Sequence, residues 1–147
     1  MARSITAHVH FRPDRSMQVV VPGPDGPIDA GMTRRSKDIG RMAREAASAA
    51  YGGEPVELAI LVDRPPWLWE GALVRPDPAV VDPGEAPTHP YGQVVAFLPV
   101  GGVVVMHPES GSGVYAPEDL VVCDPESIDP GVREAIVRCT GITASEG

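Results

Sequence analysis

Two histidines, His8 and His10, stand two residues apart in the segment Ile5-Thr6-Ala7-His8-Val9-His10-Phe11. Alternate side chains of an extended strand leave on the same face, so both imidazoles project together. Paired imidazoles can hold a divalent transition metal, but a zinc site needs a third and usually a fourth ligand. The other histidines, His89 and His107, each stand beside a proline in loop-like sequence. Joining all four would require an unusual arrangement of the two halves of the chain. The pair therefore reads as an exposed polar strand face, and no metal or other cofactor is expected.

A second constellation is basic. Arg34, Arg35, Lys37, Arg41 and Arg44 surround a predicted helix. Arg34, Lys37, Arg41 and Arg44 recur every three or four residues and so share a face. A solvated helix face is the simplest reading. The functional one is contact with RNA, with an acidic partner or with the chain's own acidic half. Trp67 and Trp69 follow the Pro65-Pro66 turn. They are expected to pack one lobe on the other, the alternative being an exposed aromatic anchor for a partner. These seven residues are the candidate partner-binding positions.

Catalytic motifs are absent. The sequence has no GxSxG, no HExxH and no P-loop. Ser110-Gly111-Ser112-Gly113 reads as a flexible turn joining two strands, not as a phosphate cradle opening a helix. No catalytic residue is assigned, and the protein is not expected to be an enzyme.

These residues must be positioned by a chain of 147 residues, with 43% apolar but only 5% aromatic side chains, so aliphatic residues fill the core. Sixteen glycines and 17 prolines favour short strands with tight turns over long helices. The net charge of −8 is unevenly spread: residues 63–147 carry 13 acidic and only 4 basic side chains. Phosphate would be repelled there, which disfavours nucleic acid and favours a basic partner. The start of the chain lacks the apolar core of a signal peptide, and no apolar run reaches the roughly 20 residues of a membrane span. A cytoplasmic protein without membrane contact is expected, its Cys123 and Cys139 as free thiols.

Residues 4–12 alternate as a half-buried strand, a turn follows at Pro13–Ser16, and Met17–Val21 returns antiparallel. A Pro/Gly loop over 22–27 precedes a short strand at Ile28–Met32. Asp14, Asp25 and Asp29 are assigned to turns. Ser36 is the expected N-cap of a helix whose stripe is Ile39, Met42, Ala43, Ala46 and Ala50, stopped by Gly52-Gly53. A strand over Pro55–Val62 completes the first lobe. In the second, strands are expected at 72–75, 93–98, 103–106, 114–115 and 120–123. A loop with five prolines spans 76–92. A helical turn lies at Pro117–Leu120, and a final helix is capped by Asp129 with Pro130 at its first position and stopped by Gly141. Residues 142–147 are expected to fray.

The first lobe resembles the HicB-like antitoxin domain, a partial ribonuclease-H-type fold. The resemblance lies in the strand pair Ile5–Phe11 and Met17–Val21, the loop Pro22-Gly23-Pro24-Asp25-Gly26 and the step Gly31-Met32-Thr33. It continues through the Ala43-Arg44-Glu45-Ala46-Ala47 helix centre and the strand Val56–Val62, and covers residues 4–62. It implies neutralisation of a small basic ribonuclease toxin. The tandem helices or ribbon of a DNA-binding segment are missing here. Ribonuclease-H chemistry needs converging carboxylates, and the strands of this lobe carry only Glu57. Residues 68–124 resemble an SH3-like or KOW-like small barrel through Gly92-Gln93-Val94-Val95, the hairpin to Val103-Val104-Val105, and Tyr115-Ala116-Pro117-Glu118-Asp119-Leu120.

The expected fold is α+β. A small antiparallel sheet with one packed helix (strand-strand-helix-strand, residues 1–62) leads through a junction at 63–67 to an acidic SH3-like β-barrel (68–125). A short C-terminal helix and tail (126–147) follow. The expected function is a non-catalytic protein-binding module, antitoxin-like or a mobile-element accessory, taking a small basic protein. The alternative is a nucleic-acid-associated factor using the basic helix face. A homodimer could form if Met17–Val21 were an exposed edge strand.

Overall fold

The computed structural model describes residues 3–79, 90–108 and 110–142. The chain divides into two compact units. One runs to Arg64 and includes Pro99–Gly101; the other holds Pro65–Leu98 and the chain from Gly102 onward. No helix among the described residues is long and apolar enough to cross a membrane.

The first unit contains β1 (Arg3–Phe11), β2 (Met17–Gly23), β3 (Gly26–Thr33), a 3-10 turn at Ser36–Asp38, α1 (Ile39–Ala50) and β4 (Val56–Val62). Its sheet order is β3-β2-β1-β4. The sheet is mixed and not antiparallel as expected: β1 pairs with β4 in parallel, Val9 opposite Val62. The cause is the crossover. A helix laid across the sheet returns the chain to its starting end, so the strand after it runs parallel to the one before. β2 lies inside the sheet, hydrogen-bonded on both sides, so Met17–Val21 is not a dimerisation edge.

Alternation decides which face of this sheet is covered. Ala7, Val9, Met17, Val19, Val21 and Val62 are buried with Ile39, Ala43 and Ala47 of α1. Alanine at two of those three helix positions lets the helix sit close over the β-branched strand surface. Ser36 does not cap α1. It opens the 3-10 turn, and Asp38, the residue before α1, makes no side-chain cap bond. β3 is longer than expected, and Asp29 lies within it and not in a turn. Ala30 bulges out between the Val20–Asp29 and Val19–Gly31 pairs. The Asp29 carboxylate accepts the Gly31 N–H at 2.9 Å, and Gly31 takes φ +109°.

The second unit is a five-stranded antiparallel sheet with one main helix. β5 (Leu73–Pro76), β6 (Gly92–Phe97), β7 (Val103–His107), β8 (Gly111–Tyr115) and β9 (Leu120–Val122) take the order β8-β7-β6-β5-β9, and α2 (Pro130–Thr140) follows. The expected barrel does not close. The outer strands are a glycine-containing segment and a three-residue strand, and they end at opposite edges. The second apolar layer comes from α2 instead. Leu73 packs with Ile128 and Ile136 on one face, while Val74 packs with Leu68, Val94, Val103, Val105 and Leu120 on the other.

The segment expected as a Ser-Gly turn is strand β8 from Gly111. Gly113 pairs with Val105, and a Cβ there would stand 3.1 Å from the Tyr115 ring. Asp129 caps α2 through the Gly131 N–H at 2.8 Å, and Gly141 ends it at φ +72°. Both cysteines are free thiols. The expected proline-rich loop falls largely on residues 80–89, with His89 among them, and the frayed tail on 143–147; both lie outside the described residues.

Candidate functional site

The face of the first sheet away from α1 carries the polar alternates of β1 and the outward residues of its neighbours. One row across it runs Leu61, His8, Val20; the next carries His10, Gln18, Met32. Asp63 follows β4, where its N–H donates to the Val9 carbonyl at 3.0 Å and continues the parallel register past Val62. By the period of two, its side chain joins His8 and His10 on this face.

The carboxylate of Asp63 sits between the two imidazoles. His8 Nε2 lies 2.7 Å from Oδ1 and His10 Nδ1 lies 2.8 Å from Oδ2. An ionised carboxylate only accepts, so each ring donates at that nitrogen. The ring centroids are 4.1 Å apart, tilted at 37°. All three side chains are somewhat under half exposed. Partial burial works to raise the Asp63 pKa. The hydrogen bonds from His10 and His8, and their positive charge when protonated, outweigh it and hold the carboxyl below its ordinary value. Among the described residues this is the one group of three or more His, Cys, Asp or Glu side chains that converges as metal ligands do. Asp63 was hidden from sequence reading because only the β1–β4 register brings it to two histidines 53 and 55 residues away.

His107 is the opposite case. It ends β7 inside the second unit and is not in a loop. Its Nδ1 donates to the Tyr91 carbonyl at 3.2 Å, and its Nε2 accepts from the Tyr115 hydroxyl at 2.9 Å. Burial pushes its pKa below the ordinary histidine value, against the Tyr91 hydrogen bond. Neighbouring Gln93, also buried, donates to the carbonyls of Gly71 and Ile142 and accepts from Thr140 Oγ1. Both are satisfied core groups.

The five basic candidates are all exposed around α1. Arg34 donates to the Asp14 carboxylate at 3.2 Å and to its backbone carbonyl at 2.8 Å. Arg41 lies 3.8 Å from both Asp38 and Glu45. No ion pair is seen for Arg35, Lys37 or Arg44 among the described residues. The positive face is thus partly neutralised by the unit's own acids. Trp67 and Trp69 are half-buried against the core of the second unit that contains Leu68 and Val94. In that unit, Asp119 has its pKa raised by burial and by the charges of Glu118 and Asp77, a sign of local acid crowding.

Sequence reading also missed an apolar component of the open face. Leu61 and Met32 are 43% and 58% exposed, large fractions for such side chains. The signal was present in β4. From Leu58 to Val62 no residue is polar, a pattern of strands covered on both faces. β4 pairs with one strand only, its last residue Val62 donating to the Pro99 carbonyl at 2.7 Å.

Comparison with known proteins returns no match to a protein-family model, to a curated protein or to a solved structure.

Proposed function

We propose that this chain is a non-catalytic protein-binding module that docks a small basic protein on the open face of its first sheet. The observation that carries the reading is Leu61 and Met32 exposed on the face that α1 leaves uncovered. With Val20 in the row of Leu61, they give one sheet face apolar surface of the kind that a partner can cover. The acidic excess of residues 63–147 supports a basic partner, because it steers one toward the molecule over a range set by the Debye length. The order of elements in residues 4–62, strands then helix then strand, supports an antitoxin-like or mobile-element accessory role through the resemblance to the HicB-like domain. The Arg34 and Arg41 ion pairs weigh against a nucleic-acid role for the basic helix face.

The test is affinity capture on the immobilised full chain from its native cell lysate at about 150 mM salt. One small basic protein should be retained, and should be lost when Leu61→Arg and Met32→Arg are combined. Retention of RNA at that salt without any protein, or capture indifferent to the two substitutions, would overturn the reading.

A further inference from the structure

We propose that His8, His10 and Asp63 form a mononuclear site for a borderline divalent transition cation, with Zn²⁺ as the reference ion. The site stands on its own geometry and does not depend on the docking reading.

Three observations converge on it. The first is placement: strand alternation aims both imidazoles to one side, and the parallel β1–β4 pairing brings the carboxylate to them. The second is spacing. The donor atoms all lie within 4.8 Å of one another. A cation with bonds of about 2.0–2.2 Å to each in tetrahedral geometry holds its donors roughly 3.4 Å apart. The two His–Asp separations of 2.7 and 2.8 Å open by well under an ångström and the two imidazole nitrogens, within 4.8 Å of each other, settle to the same spacing, in side chains that are partly exposed and can move. The third is donor type. Two imidazole nitrogens with one carboxylate oxygen suit zinc, cobalt, nickel or ferrous iron, whereas magnesium and calcium prefer all-oxygen sets. Three protein ligands leave the remaining positions for water or a group from a partner.

The other histidine described cannot serve, since both His107 nitrogens are engaged in the core. The hydrogen bonds also specify what must change. Without metal, His8 carries its proton on Nε2 and His10 on Nδ1, each donated to Asp63. The ion takes the lone pair at those same nitrogens. Each proton therefore leaves the ligating nitrogen, and the neutral ring carries its N–H on the opposite one: Nδ1 in His8 and Nε2 in His10.

The experiment is titration of the tag-free full chain with ZnCl₂ in a non-coordinating buffer near neutral pH, read by calorimetry and by nitrogen-15 spectra of the histidine rings. One ion should bind per chain, with both rings exchanging tautomers as described. Asp63→Asn, His8→Gln and His10→Gln should each weaken binding at least about tenfold, and His89→Gln should bind as the parent does. Asp63→Asn is nearly isosteric, and the tautomer exchange needs no variant at all. Unsaturable binding, unchanged ring nitrogens, or affinity that survives the three substitutions but falls in His89→Gln would overturn the site.

Discussion

The two sheets of this molecule are built from similar aliphatic strands yet are covered differently. In the first, α1 shields one face and the other bears His8, His10, Leu61 and Met32. In the second, side chains from both faces of β5 are buried, Val74 in one core and Leu73 against α2 in the other. Histidine follows the same division. On the open face two imidazoles are held by a shared carboxylate. In the covered unit a single neutral imidazole bridges a carbonyl and a phenol. One face can hold polar groups poised for a ligand; the other must satisfy each polar group internally, because an unpaired buried one is costly.

Side-chain truncation separates the two sheets most strongly. Ile136→Ala removes a fully buried side chain beneath the sheet and should destabilise the second unit by about 2–5 kcal/mol. Leu61→Ala on the open face should change stability by no more than about 0.5 kcal/mol. Urea unfolding of both variants measures the contrast. A smaller effect is expected for His107→Leu, which strands the Tyr91 carbonyl and the Tyr115 hydroxyl at a cost of about 1–3 kcal/mol.

His107 also predicts a pH dependence. Burial lowers its folded pKa, so the unfolded chain, near 6.5, takes up the proton more readily. Its contribution is fully present above about pH 6.5 and is lost as the pH falls through that value and then through the lower folded pKa. Urea midpoints measured from pH 7.5 to 5 should fall less steeply in His107→Gln than in the parent.

The smallest contrast lies at the helix starts. Asp129→Ala deletes the cap bond to Gly131 and should cost about 1 kcal/mol. Asp38→Ala removes no helix cap bond; among the described residues it loses a weak 3.8 Å contact with Arg41 and a 3.3 Å bond from Thr33, and should cost less than about 0.5 kcal/mol in the same unfolding assay.

What the sequence made legible was local. The alternation of Ile5 to Phe11, the Ile39 and Ala43 stripe of α1, and the Asp129, Pro130 and Gly141 signals of α2 each depend on neighbours within a turn or two. Long-range placement was not legible. The parallel partner of β1 is the strand beyond a helix crossover, and the same pairing delivers Asp63 to the histidines. His107 was readable in principle: Val103, Val105 and His107 alternate onto one buried face, but the adjacent Pro108 suggested a loop. Barrel closure failed for a tertiary reason, since Ile128 and Ile136 cover the sheet face beneath Leu73.

Binding on the open face of the first sheet is tested by one matched pair of double variants. Leu61→Arg with Met32→Arg charges that face, while Val121→Arg with Val122→Arg charges comparably exposed aliphatic positions on β9. Calorimetric titration of the captured partner should lose at least about a hundredfold in affinity with the first pair, roughly 2.7 kcal/mol, and be nearly unchanged with the second. Equal losses, or a loss confined to the β9 pair, would place the binding surface away from the open face.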